Sequence, residues 1–376
     1  MAKRVTAKAA PRRREAARTS GVKTSGAKSS GSKASGSKAA GSKTAGMPAG
    51  KPSRDKKSLN NTSGRRISTV ATSTASMTAT SGAGLVSLLD HMRFAVSRFN
   101  EARLAFAHGT TDPVAEAAFL VSEALHLHPD QFEPFATARL TVDESARVMA
   151  LIETRVQTRK PAAYLVNKIY MRGLPFYVDE RVIVPRSFIG ELLDSHFGEQ
   201  QSLLGDPAEV TRVLDLCTGS ACLAILAARH FPNAHVDAVE LSKDALAVAR
   251  RNVAEHGLDE AVTLYQGDLF APLPEGARYD LIISNPPYVD AEGMAGLPQE
   301  CRHEPAMAFE AGPDGLDVVR RILAEAGRYL TPEGGLLCEV GRGRDNVEAA
   351  FPELPFLWLD TEDSEGEVFW LPAEVF

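Results

Sequence analysis

Beyond Pro207 the chain alternates between short β-branched, apolar runs and stretches of helical period, and few folds satisfy that order. Val210 to Leu216 reads as a strand, and Ser220 to His230 as a helix stopped at Phe231-Pro232. Ala234 to Val239 is a second strand, followed by a helix that Ser242 caps and that runs to His256 before Gly257. Val262 to Tyr265, Tyr279 to Ile283 and Gly335 to Val340 are further strands, the last preceded by a helix near Gly315 to Tyr329. Such alternation requires crossover connections, which place helices on both faces of a mainly parallel sheet. The expected class is therefore α/β, with ligands bound beyond the carboxyl ends of the strands.

The preceding segments read differently. Leu85 to about Lys160 is helical in pattern: Asp112 and Pro113 supply an N-cap and a first-turn proline, and Thr141 with Glu144 forms a capping box. From Tyr164 to Val184 the pattern turns β-like, interrupted by Gly173 and Pro175, as expected of a hairpin joining two domains. We thus expect a basic tail over 1–84, a helical domain over 85–162, a hairpin and linker over 163–206, and the α/β body over 207–376.

Charge separates the tail from everything else. The net charge is −6, yet residues 1–84 carry 18 Lys+Arg against only Glu15 and Asp55, a net of +16. The rest holds 24 basic and 46 acidic groups, net −22. The tail contains no aromatic residue, so it has little to bury against its ordering entropy and is expected to be disordered. Gly21, Gly26, Gly31, Gly36, Gly41 and Gly46 recur with Lys23, Lys28, Lys33, Lys38 and Lys43 in step. An evenly charged polymer of this kind suits phosphate backbones and non-specific rRNA contact. Two other readings stand beside that one: an inert extension with Met77 or Met92 as the start, and an organelle transit peptide. The longest apolar run, Ala221 to Ala228, is far short of a membrane span, and no apolar core follows the basic N-terminus as in a secretory signal. Cys217, Cys222, Cys301 and Cys338 form no C-x-x-C pair, so we expect reduced thiols, a cytoplasmic location and no metal.

Three strand ends carry candidate chemistry. The first strand leads into Asp215, Cys217, Thr218, Gly219 and Ser220, a glycine-bearing turn that lets backbone N–H groups approach a ligand. It lacks G-x-G-x-x-G, which disfavours a dinucleotide pyrophosphate. Glu240 closes the second strand at the offset of a ribose-binding acid, so a nucleoside-bearing ligand without pyrophosphate, such as S-adenosylmethionine, fits. Asp268 and Leu269 follow the third strand, where an acid can meet an adenine amine. The fourth runs directly into Asn285-Pro286-Pro287-Tyr288. A planar –NH2 group is a poor nucleophile and must be held ~3–3.5 Å from the sulfonium methyl with its lone pair aimed along the S–C axis. The Asn285 side-chain oxygen and the Pro286 carbonyl offer two acceptors for its two N–H bonds, the prolines stiffen the backbone, and Tyr288 forms a wall.

With these residues in view, the body resembles class I S-adenosylmethionine-dependent amino-methyltransferases. The runs Tyr164 to Lys168, Phe176 to Arg181, Val184 to Ser187, Arg302 to Pro305 and Asp314 to Leu316 resemble the glutamine N(5)-methyltransferases that modify large-subunit ribosomal protein L-three. The sister family, acting on release factors, has a Pro-Asp-Thr-Glu-like run where Ser187-Phe188-Ile189-Gly190 stands here. The resemblance implies a Rossmann-like seven-stranded sheet ending in an antiparallel hairpin, Phe356 to Leu359 with Val368 to Leu371. It also implies a substrate-recognising helical domain, ribose binding by Glu240, adenine binding by Asp268 and Leu269, and substrate contacts from Asn285, Tyr288 and Arg186. Two positions depart from the family pattern: Ala221 replaces a glycine and Phe188 a proline.

The leading expectation is methyl transfer to a glutamine side-chain nitrogen of a ribosomal protein, for which an acidic body suits a basic partner. The alternatives are the release-factor glutamine, an exocyclic base amine in nucleic acid, which an acidic body disfavours, and a non-enzymatic ribosome-assembly or RNA-binding protein with a vestigial fold. For the tail, deletion of residues 1–84 should leave methylation of the free protein substrate unchanged. The same deletion should weaken sedimentation with pre-ribosomal particles at low salt; equal sedimentation would leave the tail inert.

Overall fold

The computed structural model describes residues 84–198 and 202–376. The expected disorder and rRNA contact of the tail fall, but for Gly84, outside those residues. Five helices come first: α1 Leu88–Ala102, α2 Pro113–Ala124, α3 Phe132–Phe135, α4 Val142–Thr158 and α5 Ala162–Val166. Their caps are those the sequence advertises. Asp112 accepts from the N–H groups of Val114 and Ala115, and Thr141 exchanges hydrogen bonds with Glu144. α1, α2 and α4 close over Leu88, Phe99, Leu120, Val121, Val148 and Ile152. Inside this bundle Arg155 is fully buried, donating to Glu116 at 2.7 Å and to the Ala105 carbonyl at 3.1 Å.

A two-stranded hairpin follows, β1 Ile169–Met171 with β2 Leu174–Phe176. Its turn residues Arg172 and Gly173 both have positive φ, 49° and 76°, the backbone that matches strand twist in a two-residue loop. The β reading of the wider stretch needs correction at both ends. Tyr164 and Leu165 lie in helix α5, not a strand, because Pro161 starts a turn that buries Ala162, Ala163 and Tyr164. Val182, Ile183 and Val184 have no strand partner. Val182 and Val184 are buried all the same, and the backbone is held by side chains: the Tyr164 hydroxyl donates to the Val182 carbonyl, and Glu304 accepts from the Val184 N–H. Helix α6, Ile189–His196, lies within the stretch expected as hairpin and linker.

The body is a seven-stranded sheet in the order β5-β4-β3-β6-β7-β9-β8. β3 Arg212–Leu216, β4 His235–Glu240, β5 Val262–Gln266, β6 Tyr279–Ser284 and β7 Leu330–Glu339 run parallel. β8 Leu357–Leu359 and β9 Val368–Pro372 complete it as an antiparallel pair beside β7, as the resemblance implied. Helices α7 Cys222–His230, α8 Lys243–Glu255, α9 Ala291–Gly296, α10 Asp317–Glu325 and α11 Arg344–Ala350 fill the connections. Two apolar cores cover the sheet, one around Val213, Ile225, Leu246 and Ile283, the other around Leu214, Ile282, Ile322 and Leu336. A sheet buried on both faces explains why its strands read as nearly continuous apolar runs. Among the described residues, no helix is long and apolar enough to cross a membrane.

The bundle is tied to the body by charge. Glu300, in a 3-10 turn over Gln299–His303, is fully buried and accepts from the Ala105 N–H at 3.0 Å and from Arg159 at 2.6 Å, with Arg155 at 4.0 Å. Glu116→Ala would leave Arg155 buried without its closest counter-charge. We expect a loss of about 3–5 kcal/mol, read as a lower urea midpoint.

Candidate active site

β3, β4, β5 and β6 all end on the same edge, and a cavity of about 850 Å³ opens there. Its lining includes Cys217, Thr218, Gly219 and Ser220 from the β3 turn, Glu240 from β4, Asp268 and Leu269 after β5, Asn285 to Tyr288 after β6, and Arg186. Of the expected site residues only Asp215 stands outside the lining. It is buried beneath the turn, where one carboxylate oxygen accepts from the Thr218 hydroxyl at 2.5 Å and the Ala224 N–H at 3.0 Å.

The β3 turn is tightly wound. Cys217, Gly219 and Ala221 have φ of 60°, 58° and 64°, so left-handed residues recur at alternate positions. Ala221, where the resembling family carries glycine, caps α7 in this conformation, with its methyl group fully buried. An L-residue in that conformation costs roughly 1–2 kcal/mol. The neighbouring departure, Phe188, precedes α6 and donates its N–H to Glu339.

Glu240 holds the turn from the opposite side. Its two oxygens accept from the Gly219 N–H at 2.8 Å and the Ser242 N–H at 2.7 Å. Burial raises its pKa, and those N–H groups moderate the rise. Each oxygen has a further lone pair, so the carboxylate can also accept from a diol. Asp268 is half-exposed and paired with Arg321 on α10 at 2.7 Å.

At the end of β6 the Asn285 amide nitrogen donates to the Arg186 carbonyl at 3.1 Å. That bond assigns the amide its direction, leaving the side-chain oxygen as the acceptor for a ligand. The Arg186 side chain is not free: it forms a two-pronged pair with Glu304, at 3.0 Å on both oxygens, and lies over the Phe309 ring. Tyr288 packs on the backbone of Gly341, where a Cβ would come within 2.6 Å of the ring, and its hydroxyl points to Glu339 at 3.5 Å.

Several residues of this region carry little sequence signal. Leu241 and Met307 line the cavity as exposed apolar groups, and Arg342 and Glu310 stand at its edge. Glu304 and Glu339 are buried acids behind the lining; Glu304 stands in a motif already noted, whereas Glu339 is an isolated acid at a strand end. His108, Cys301 and Glu304 bring ligating atoms within 4.8 Å of one another, but the Glu304 carboxylate already accepts from Arg186, Val184 and His108. That carboxylate is therefore already paired with a guanidinium.

The chain is similar to known methyltransferases. The family model described as "Methyltransferase small domain" matches residues 195–297. A Bradyrhizobium diazoefficiens protein named ribosomal protein uL3 glutamine methyltransferase is 75% identical over 292 residues, 77% of this chain and 91% of that relative. Proteins of the same name from Burkholderia pseudomallei and Bordetella pertussis are 56% and 53% identical, covering 76% and 77% of this chain and 94% and 96% of theirs.

Burial raises Asp215 and Glu339 each to about 7 and lifts Glu240 as well. These acids bind protons more tightly folded than unfolded, so their contribution to stability is present at low pH and is lost as pH rises through about 7. The unfolding free energy should therefore decline from pH 5 to pH 8, and the decline should be shallower in Asp215→Asn and Glu339→Gln. Urea titrations across that range measure both slopes.

Proposed function

The chain belongs to the ribosomal protein uL3 glutamine methyltransferases, and from that premise we propose how its residues move a methyl group from S-adenosylmethionine to a glutamine side-chain nitrogen of that ribosomal protein. The observation that carries the mechanism is the direction of the Asn285 amide. With its nitrogen committed to Arg186, its oxygen accepts one N–H of the substrate amide, and the Pro286 carbonyl accepts the other. Holding both N–H groups aims the nitrogen lone pair and favours pyramidalisation. No ionisable base is needed, because the nitrogen sheds its proton to water after transfer.

The cavity suits the methyl donor. Glu240 is set to receive the ribose hydroxyls, and Asp268 with Leu269 the adenine. Thr218, Gly219 and Ser220 offer a backbone wall to the amino-acid end. Cys217 joins that wall, and Asp215 acts from behind by fixing Thr218. When bound, the sulfonium supplies an activated methyl group. Tyr288 bounds the acceptor side, its hydroxyl kept protonated by burial. Arg186 lines the same side, and its contribution to substrate binding comes through its backbone and its non-polar stem, since its guanidinium is engaged.

Residues 85–162 are proposed to recognise the protein substrate, and the acidic body suits a basic partner through steering that fades with salt. Contact between the tail and rRNA rests on charge alone. The test uses labelled cofactor with a lysate lacking its own methylation. Label should appear in the ribosomal protein; label in nucleic acid or in release factors would overturn the substrate assignment. Asn285→Ala should abolish turnover while the Kd for S-adenosylmethionine changes by less than about threefold. Retained turnover would remove the amide clamp.

A further inference from the structure

The Asn-Pro-Pro-Tyr tetrapeptide does not orient its own asparagine. An asparagine amide is nearly symmetrical in shape, so whether oxygen or nitrogen faces the substrate depends on what the other end meets. Here the other end meets the Arg186 carbonyl, on a segment that belongs to no sheet. Two buried acids hold that segment, from different elements. Glu304 accepts from the Val184 N–H at 2.9 Å and from both Arg186 Nη atoms at 3.0 Å, and His108 Nε2 lies 3.1 Å from its second oxygen. Glu339, the last residue of β7, accepts from the Ser187 hydroxyl at 2.7 Å and the Phe188 N–H at 3.0 Å. Its other oxygen faces the Tyr288 hydroxyl.

We propose that Glu304 and Glu339 are positioning residues for methyl transfer, clamping Val184–Phe188 so that the Arg186 carbonyl orients the Asn285 amide toward the substrate. The inference rests on the amide-clamp reading of Asn285. Neither acid lines the cavity, so neither needs to touch substrate or cofactor. Buried carboxylates require unusually complete hydrogen bonding, and both direct most of theirs to this one segment, with His108 and the Tyr288 hydroxyl as their other partners. Glu304 is desolvated, a change that would raise its pKa, yet its bond to His108 and the Arg186 charge outweigh this and hold it ionised below the usual range. An acid so held at neutral pH keeps the guanidinium, and with it the Arg186 backbone, in one place.

The test compares Glu304→Gln, Glu339→Gln, Ser187→Ala and Arg186→Lys with Asn285→Ala. Single-turnover methylation of the unmethylated ribosomal protein gives the rate, and calorimetry gives the Kd for S-adenosylmethionine. Glu304→Gln cannot sustain the two-pronged pair and should slow transfer on the order of 10²-fold, with the cofactor Kd and the substrate KM within about threefold. Arg186→Lys keeps the charge but loses the fork, and should show the same split. Ser187→Ala removes a single bond and covers the case in which a buried-acid variant does not fold. It should slow transfer about tenfold, without altering the Kd. If Asn285→Ala is inactive while the folded variants at 186, 187, 304 and 339 all turn over at the wild-type rate, the positioning role is overturned and the clamp survives. If Asn285→Ala itself turns over normally, the clamp reading fails first.

Discussion

Glu304 lies where the helical bundle, the unpaired Val184–Phe188 segment and the end of β6 converge, and the site depends on its charge being satisfied there. Its carboxylate is buried among His108 from the bundle side, Arg186 from the segment, and the 3-10 turn that carries it. Burying an ion pair is expensive, and the cost is offset only when geometry and hydrogen bonding are nearly complete. Completeness of that kind discriminates between arrangements: a shifted segment would leave a guanidinium or a carboxylate unpaired in a low-dielectric interior. Glu300, four residues earlier, repeats the device toward Ala105, Arg155 and Arg159. One short turn thereby registers the helices against the edge of the sheet.

The parallel sheet supplies the rest of the frame. Because β3 to β6 run in one direction, their following turns meet at one edge, and those after β3 and β5 contribute backbone bent away from ordinary conformations. Cys217, Gly219, Ala221 and Leu269 all sit at positive φ beside the cavity. Strain concentrated where chain ends converge is stable only when the surroundings fix it. Asp215 beneath the turn and Glu240 beside it supply that constraint, binding Thr218, Ala224, Gly219 and Ser242. Both acids are thereby structural before they are anything else, which accounts for a carboxylate at 215 that lies behind the cavity wall.

The alternation of strands and helices, the capped helix starts and the Asn285 tetrapeptide were legible because each depends on local pattern or backbone chemistry. The strand bounds differ by a residue or so at most ends, with β7 beginning earlier, at Leu330. What failed was the stretch after Pro161. Tyr164 and Leu165 have β-type neighbours, but a proline-started turn and burial of the ring decided for helix. Val182 to Val184 alternate as a strand would, and Val182 and Val184 are buried as a strand's residues would be, yet their partners are the Tyr164 hydroxyl and the Glu304 carboxylate. A hydrophobic pattern reports burial and cannot report which group satisfies the backbone. Glu304 and Glu339 were illegible as buried acids for a related reason: nothing local to a glutamate says that donors more than a hundred residues away will surround it.

This division bears on what the tetrapeptide means. A proline pair after a strand fixes a backbone, and therefore fixes where one carbonyl points, but it leaves the asparagine free to present either a donor or an acceptor. A substrate amide offering two N–H bonds is held only by the acceptor. The choice is made by the Arg186 carbonyl, and the position of that carbonyl by acids on two other elements. On the proposed amide clamp, the motif supplies the acceptors, whereas the contacts that aim them lie outside it. Two chains with the same four residues can then differ in activity through a single hydrogen bond made by a segment with no regular structure of its own.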